Sequence, residues 1–363
     1  MSEIVASLHN HTLYSDGSAP HFRLFDEAIS AGIDVLITTD HNVLVREADQ
    51  YYHKDSRHLL FLAAEEIHDQ DREPQKNHML VIGARKELAQ FAHSPQLLIN
   101  EASAAGAATF LAHPNESELP MVHEPDISWV DWDIAGFTGL EIWNHFSEFK
   151  DAARDFWKML FFAFFPEHYP RGPRPETLAM WDELLSSGQK VAAVGGADAH
   201  AIQFSWSILH KVIFPYKFHF SSVNTHLVVG EEFTFDLDHD RDMVIQALKN
   251  GSAFVGYDLP ASTRGFRFTA ETDSSRVSMG ETISIENGAT IRIHLPLPVK
   301  ARLIRNGKVI NQWEGTSNLV TTAHESGAYR VECTIEYHGM ERGWIFSNPI
   351  YIEKQEKKHG SLQ

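Results

Sequence analysis

Short apolar runs punctuate the first 200 residues at positions 4–8, 35–39, 59–64, 79–82, 107–112, 138–143 and 191–197. Each is the length of a buried strand. Between them the apolar positions shift to helical spacing. Pro20 opens one helix with Phe22, Phe25, Ala28 and Ile29 on a common face, and Gly32 stops it. Pro95 opens another with Leu97, Leu98 and Ala102 inward and Gly106 at its end. Proline at a helix start and glycine past its end suit the fixed φ of one and the left-handed φ of the other. Strands alternating with helices predict βαβ units and a parallel sheet or barrel.

The pattern changes twice. From Ser147 a long helix is predicted, and its later part, residues 156–165, is apolar nearly all round. Such a stretch is either buried against the barrel or forms the wall of an apolar substrate pocket or a dimer contact. After about residue 265 the texture becomes all-β. Asn306-Gly307 between two alternating runs is the strongest hairpin signal in the chain. The predicted organisation is a barrel over 1–265 with an aromatic-rich helical insertion at 115–190, a small antiparallel β-sandwich at 266–353, and a polar tail at 354–363.

Composition narrows the function. The 363 residues carry 31 Lys+Arg against 49 Asp+Glu, a formal net charge of -18. That balance argues against duplex nucleic acid as a partner. A small anionic substrate fits if metal ions supply local positive charge. Cys333 is the only cysteine, so no internal disulfide forms. No run approaches the roughly 20 apolar residues of a membrane span, and the N-terminus lacks a basic region followed by an apolar signal core. These features predict a cytoplasmic protein with no membrane partner, and leave room for a homo-oligomer.

The apolar runs end in metal-binding residue types. The first leads into His9-Asn10-His11, with Asp16 close behind; others lead into Asp40-His41, Glu65-Glu66, His113 and Asp198-Ala199-His200. His78 differs, because it precedes its run. Chance places one histidine at a strand end, but not readily this many. Parallel α/β barrels collect functional side chains at the C-terminal ends of their strands, so a shared metal site is the economical reading. Mixed imidazole and carboxylate donors suit Mn, Zn or Fe without selecting among them.

This order of motifs resembles the polymerase-and-histidinol-phosphatase (PHP) family of metal-dependent phosphoesterases, over roughly residues 4–260. The resemblance implies a distorted (β/α)7 barrel with two or three divalent metal ions at one mouth. Its ligands would be His9, His11, Asp16, His41, Glu66, His78, His113, Asp198 and His200. Catalysis would rest on Asp198, on Glu66 as a bridge between ions, and on Asp40 as the partner that orients a ligand imidazole. Arg171 and Arg174, in a Pro/Gly-rich loop, are candidate substrate contacts. His68, His93, His123, His145, His210 and His226 have no place in the pattern. The implied activity is phosphoester hydrolysis of a small phosphorylated metabolite or nucleotide by a metal-bound hydroxide. The segments 139–145 and 195–200, with the β-rich C-terminus, also resemble the branch containing carbamate-ester (carbaryl) hydrolases, in which the same centre would attack a carbonyl. A third reading is a non-catalytic module whose metals are structural.

Overall fold

The apolar runs do form strands, and seven of those strands close on themselves. In a computed structural model describing residues 2–206 and 209–355, the first strands are β1 (Ser2–Asn10), β2 (Val35–His41), β3 (Gln50–Lys54), β4 (Arg57–Ile67), β5 (Met79–Ile82), β6 (Ala108–Leu111), β7 (Gly139–Asn144) and β8 (Ala192–Ala199). Strand β3 is a hairpin partner of β4. The others pair in the order β1-β2-β4-β5-β6-β7-β8, and β8 returns to β1 through Leu8↔Gly196 and Asn10↔Ala199. Their apolar side chains are almost all buried, as expected of strands covered on both faces.

The barrel is less regular than a (β/α)7 repeat. A helix links β1 to β2 (α1, His21–Ala31) and another links β5 to β6 (α2, Pro95–Ala104). The β7–β8 connection holds α3 (His145–Ala152), α4 (Phe156–Phe164) and α5 (Pro175–Ser186). By contrast, β2 reaches β4 through a hairpin, and β5 runs antiparallel to both β4 and β6 and follows β4 with no helix between them. Apolar runs reveal strands but not their direction.

Two helix faces are rotated from expectation. Phe22 and Leu97 are exposed, while Leu24 and Ile99 take the inward positions. The long helix predicted from Ser147 is two helices. Asn144 caps the first by accepting from the Ser147 N–H at 2.7 Å, and Asp155 caps the second by accepting from the Lys158 N–H at 2.9 Å.

A hairpin, β9 (Ile202–Trp206) and β10 (Leu209–Ile213), follows β8. Then β11 (Val223–Val229) lies antiparallel on the first half of β1, and β12 (Ala253–Tyr257) on β11. The helix before β12, α6 (Leu237–Asn250), ends on Gly251 in the left-handed conformation.

Among the described residues, ten further strands follow Gly265. Four of them, Arg267–Glu271, Arg276–Ser278, Ala289–His294 and Asn318–Ala323, make a separate antiparallel sheet. The rest continue the barrel's own sheet, because Met340–Ser347 pairs with β12. Asn306 and Gly307 turn the hairpin between Lys300–Arg305 and Lys308–Trp313 with φ of +46° and +75°, as a two-residue turn of primed type requires. One pairing departs from the expected antiparallel order: Thr282–Ile285 runs parallel to Ile350–Lys354. Phe268, Ile291 and Leu319 of the separate sheet share one core with Leu303, Val331 and Ile345. The predicted tail lies outside the described residues from position 356 on. Among the described residues no helix is long and apolar enough to cross a membrane.

Candidate metal centre

Strand direction explains where the polar clusters meet. Strands β1, β2, β4, β6, β7 and β8 run the same way, so the residues at or just past their ends, including His11, His41, Glu66, His113 and Asp198, gather at one mouth. Because β5 runs the other way, the residue that precedes it, His78, arrives at that same mouth.

Glu66 is the centre of the cluster. Its Oε2 lies 3.0 Å from His9 Nε2, 3.1 Å from His11 Nε2 and 3.3 Å from His41 Nδ1. Its Oε1 lies 2.8 Å from His78 Nδ1 and 3.0 Å from His113 Nε2. One carboxylate is therefore shared between two sets of imidazoles, one set per oxygen. Asp198 Oδ1 sits 3.4 Å from His9 Nε2, 3.3 Å from His11 Nε2 and 3.4 Å from His200 Nδ1. Asp16 closes the outer side, 3.3 Å from His200 Nε2 and 3.6 Å from both His11 Nδ1 and His41 Nε2. All nine sequence-predicted ligands thus converge.

Local backbone aims them. His9 (φ +61°), His113 (φ +28°) and Asp198 (φ +50°) adopt the left-handed conformation that residues other than glycine rarely use. The β1–β8 register shifts between Leu8 and Asn10, so the strand is not regular where it delivers His9 and His11. Strain of this kind concentrates where side chains must be aimed for function.

The donor set fits divalent ions. His11 Nε2, His41 Nδ1, His78 Nε2 and His113 Nδ1 are buried without a hydrogen-bond partner among the described residues. His11 Nε2 is near two carboxylate oxygens, yet not in hydrogen-bonding geometry. Unsatisfied buried nitrogens cost free energy, and cations held beside Glu66 would satisfy those that face it, His11 Nε2 and His41 Nδ1. Charge points the same way. Burial alone would raise the carboxyl groups, but the neighbouring imidazoles of His9, His41 and His78 hold Glu66 well below the usual carboxylate range. Asp198 is likewise held low against burial by His9, His11 and His200. Burial opposes protonation of His11 and His113, yet the neighbouring carboxylates push both up to about 9. Burial prevails at His41, which falls to about 3. The carboxylates demand positive charge that the rings cannot all carry together.

Four residues without a place in the sequence pattern support the centre. Glu141 Oε1 takes His9 Nδ1 at 2.8 Å, and its Oε2 accepts from the His113 backbone N–H at 2.8 Å. Asn144 Nδ2 donates to Glu141 at 3.0 Å and to Asp198 at 3.1 Å. Glu116 Oε2 lies 3.5 Å from His113 Nδ1, while its carboxylate also holds the Lys150 ammonium and the Ser147 hydroxyl. The sequence marks Glu141 as a charged residue inside an apolar strand, within the 139–145 segment, but gives it no role in the ligand pattern. His68, left aside in the sequence, stacks on His78 with ring centroids 4.3 Å apart.

Three assignments fall elsewhere than expected. Among the described residues, the Asp40 carboxylate makes no direct hydrogen bond to a candidate ligand imidazole; it reaches His11 Nδ1 only through the Ser15 hydroxyl, 3.5 Å from that nitrogen. It accepts from the Thr12 N–H at 2.7 Å and from the Thr12 and Ser15 hydroxyls at 2.8 Å, so it fixes the turn that carries Asp16. Neither Arg171 nor Arg174 lines the large cavity over the centre. The Arg174 guanidinium is tied to Asp151 and donates to Ser117 at 3.1 Å, and the Arg171 N–H donates to Glu148. The cations on that cavity are Lys150 and Lys211. The cavity, of about 620 Å³, has Asp16, His41, Glu66, His78, His113 and Asp198 on its floor.

No family profile matches the chain, and no curated protein matches it. Among solved structures, a two-domain protein from Bacteroides vulgatus, named as containing a predicted PHP-like metal-dependent phosphoesterase, aligns at 15% identity over 96% of this chain and 95% of its own, with a TM-score of 0.44. A second, from Bifidobacterium adolescentis and provisionally named a metal-dependent phosphoesterase, aligns at 11% identity over 57% of this chain and 92% of its own, with a TM-score of 0.33.

Proposed function

We propose that the chain is a metal-dependent hydrolase acting on phosphoesters at this centre, with two or three Mn, Zn or Fe ions. The observation that carries the reading is Glu66, whose two oxygens each face a separate set of imidazoles on the floor of a large cavity. A single structural ion needs about four ligands in a closed shell; nine donors opening on a cavity exceed that.

His9, His11, Asp16, His41, Glu66, His78, His113, Asp198 and His200 would hold the ions. When bound, divalent ions supply Lewis-acid polarisation and neutralise phosphoryl charge. The chain's own residues do the rest. With a proton on His9 Nδ1, Glu141 accepts it and leaves the Nε2 lone pair directed at the cluster. Asn144 holds Asp198 Oδ2, leaving Oδ1 to face the rings. Lys150, gripped by Glu116 on the cavity wall, offers a positive charge to an anionic substrate oxygen.

A second reading, hydrolysis of carboxylic or carbamate esters, is favoured by one feature: the phenylalanine-rich wall opposite the cluster.

The test is hydrolysis by Mn²⁺- and Zn²⁺-reconstituted protein, with phosphomonoesters and nucleoside bisphosphates assayed beside aryl esters and carbamates. Phosphate release is expected, and Asp198→Ala should lower it at least 10³-fold, on the order of the loss of an essential group. Alcohol release from esters alone would transfer the protein to the second reading. Silence on both panels with metal bound would leave a non-catalytic metal module.

A further inference from the structure

We infer that the substrate is an amphiphile whose ester group meets the metal centre while a bulky apolar group fills the chamber above it. This deepens the hydrolase reading and rests on it for the cleavage, though not for the chamber.

The evidence begins with α4. Phe156, Met159, Leu160, Ala163 and Phe164 recur at helical spacing, the stripe that a helix normally turns to its core. Here the stripe lines the cavity, and Phe156 and Phe164 remain 42% and 45% exposed. Leu119, Val122 and Ile127 come from the loop after β6, and Ile202, Phe204 and Ile213 from the hairpin β9–β10. Phe146 and Phe149 of α3 complete the ring. Four separate segments therefore present apolar side chains to one space.

That space is continuous with the catalytic floor, since one cavity is lined by both. Its volume of about 620 Å³ lies in the range of pockets that bury a whole drug-sized ligand, far more than a phosphate or a carbonyl group requires. A small polar metabolite would leave this apolar surface wet. An apolar group removes it from water, with a gain proportional to area. Apart from the floor, the cavity's charged residues are Glu73, Glu116, Glu124, Lys150 and Lys211; Lys150 is tied to Glu116, and the Lys211 ammonium lies 5.1 Å from the centre of the Phe164 ring. A charged floor joined to walls that are largely apolar matches the two ends of an amphiphile.

The experiment uses the full Mn²⁺-loaded chain and two probes, biphenyl-4-ol and glycerol, titrated calorimetrically, with biphenyl-4-yl phosphate and glycerol 1-phosphate as the corresponding esters. Biphenyl-4-ol should bind saturably at one site and glycerol should not. Biphenyl-4-yl phosphate should also exceed phenyl phosphate, whose leaving group is of similar acidity, in kcat/KM by about tenfold or more, as expected of a filled apolar pocket. Leu160→Gln makes the wall polar and Ala163→Trp fills the chamber; each should weaken biphenyl-4-ol binding by about tenfold or more, with circular dichroism confirming the fold. Absence of saturable biphenyl-4-ol binding, or binding undiminished in both variants, overturns the inference. Saturable binding without turnover of either ester would instead overturn the hydrolase reading and leave the chamber standing.

Discussion

Gly196 has no side chain, and the geometry of the candidate metal centre depends on that. A Cβ there would lie 1.8 Å from Glu141 Oε1 and 2.9 Å from His9 Cβ. The carboxylate that holds His9 and the His113 backbone occupies the space a methyl group would take. Gly196→Ala should therefore displace Glu141, cost about 1–3 kcal/mol of stability by overpacking, and weaken metal binding roughly 10–100-fold through the lost support of His9. Thermal melts and Zn²⁺ titrations of the variant measure both; undiminished metal affinity would show that His9 needs no carboxylate behind it. The nine candidate ligands were legible because most lie at or just past the end of an apolar run, His78 just before one, and Asp16 in the turn that follows His11. Glu141 and Gly196 were not, because their contact exists only once β7 lies beside β8. The surroundings of Asp40 were hidden for a related reason: its neighbour in sequence is His41, but its neighbours in space are Thr12 and Ser15.

Direction and register set the elements, and neither is written in an apolar run. His78 looked anomalous until β5 proved antiparallel; the reversal brings a residue at a strand's start to the mouth where the others end. Breaking the 147–165 stretch at Asp155 likewise frees the apolar stripe of α4 for the cavity instead of the core. Away from the mouth, the pairing of β1, β11 and β12 buries a second set of charges. His226 of β11 meets Glu3 of β1 through Nδ1 at 2.9 Å, and Asp258 beyond β12 through Nε2 at 2.9 Å. Burial would lower this imidazole, but Asp258 and Glu3 outweigh it and push it up to about 9. A folded-state value above the unfolded one of about 6.5 means that the stabilisation is complete below pH 6.5 and is lost as pH rises toward 9. At 1.36 kcal/mol per unit the loss is about 3 kcal/mol. The partners are depressed, so their contribution fails only in strong acid. Urea midpoints should fall between pH 6.5 and 9, and His226→Gln should flatten that fall; an unchanged slope in the variant would show that another group governs it.

The whole molecule is joined across residue 265 more tightly than a barrel with an appended module would be. The barrel sheet runs on from β12 into Met340–Ser347. The Asn348 side chain accepts from the Ala193 N–H at 2.7 Å and donates to the Ala193 and Ala253 carbonyls at 2.9 and 3.0 Å, completing β8 and β12 from outside. Buried Arg330 grips Asp182 of α5 at 2.7 and 2.6 Å. Buried Arg342 donates to the carbonyls of Glu167 and Pro170, next to the loop that follows α4. Phe346 packs edge-on against Trp143, one residue before the Asn144 that holds Asp198. A chain ending at residue 265 loses all of this. Removing large buried aromatics such as Trp344 and Phe346 costs about 3–5 kcal/mol each, against a total stability of only about 5–15 kcal/mol for a typical protein. The truncated chain should consequently lack near-ultraviolet circular dichroism and fail to bind Mn²⁺, even though every proposed ligand is retained. A monodisperse, metal-binding fragment of 1–265 would show that the barrel stands alone, and that the strands beyond it serve another purpose than holding the metal centre in shape.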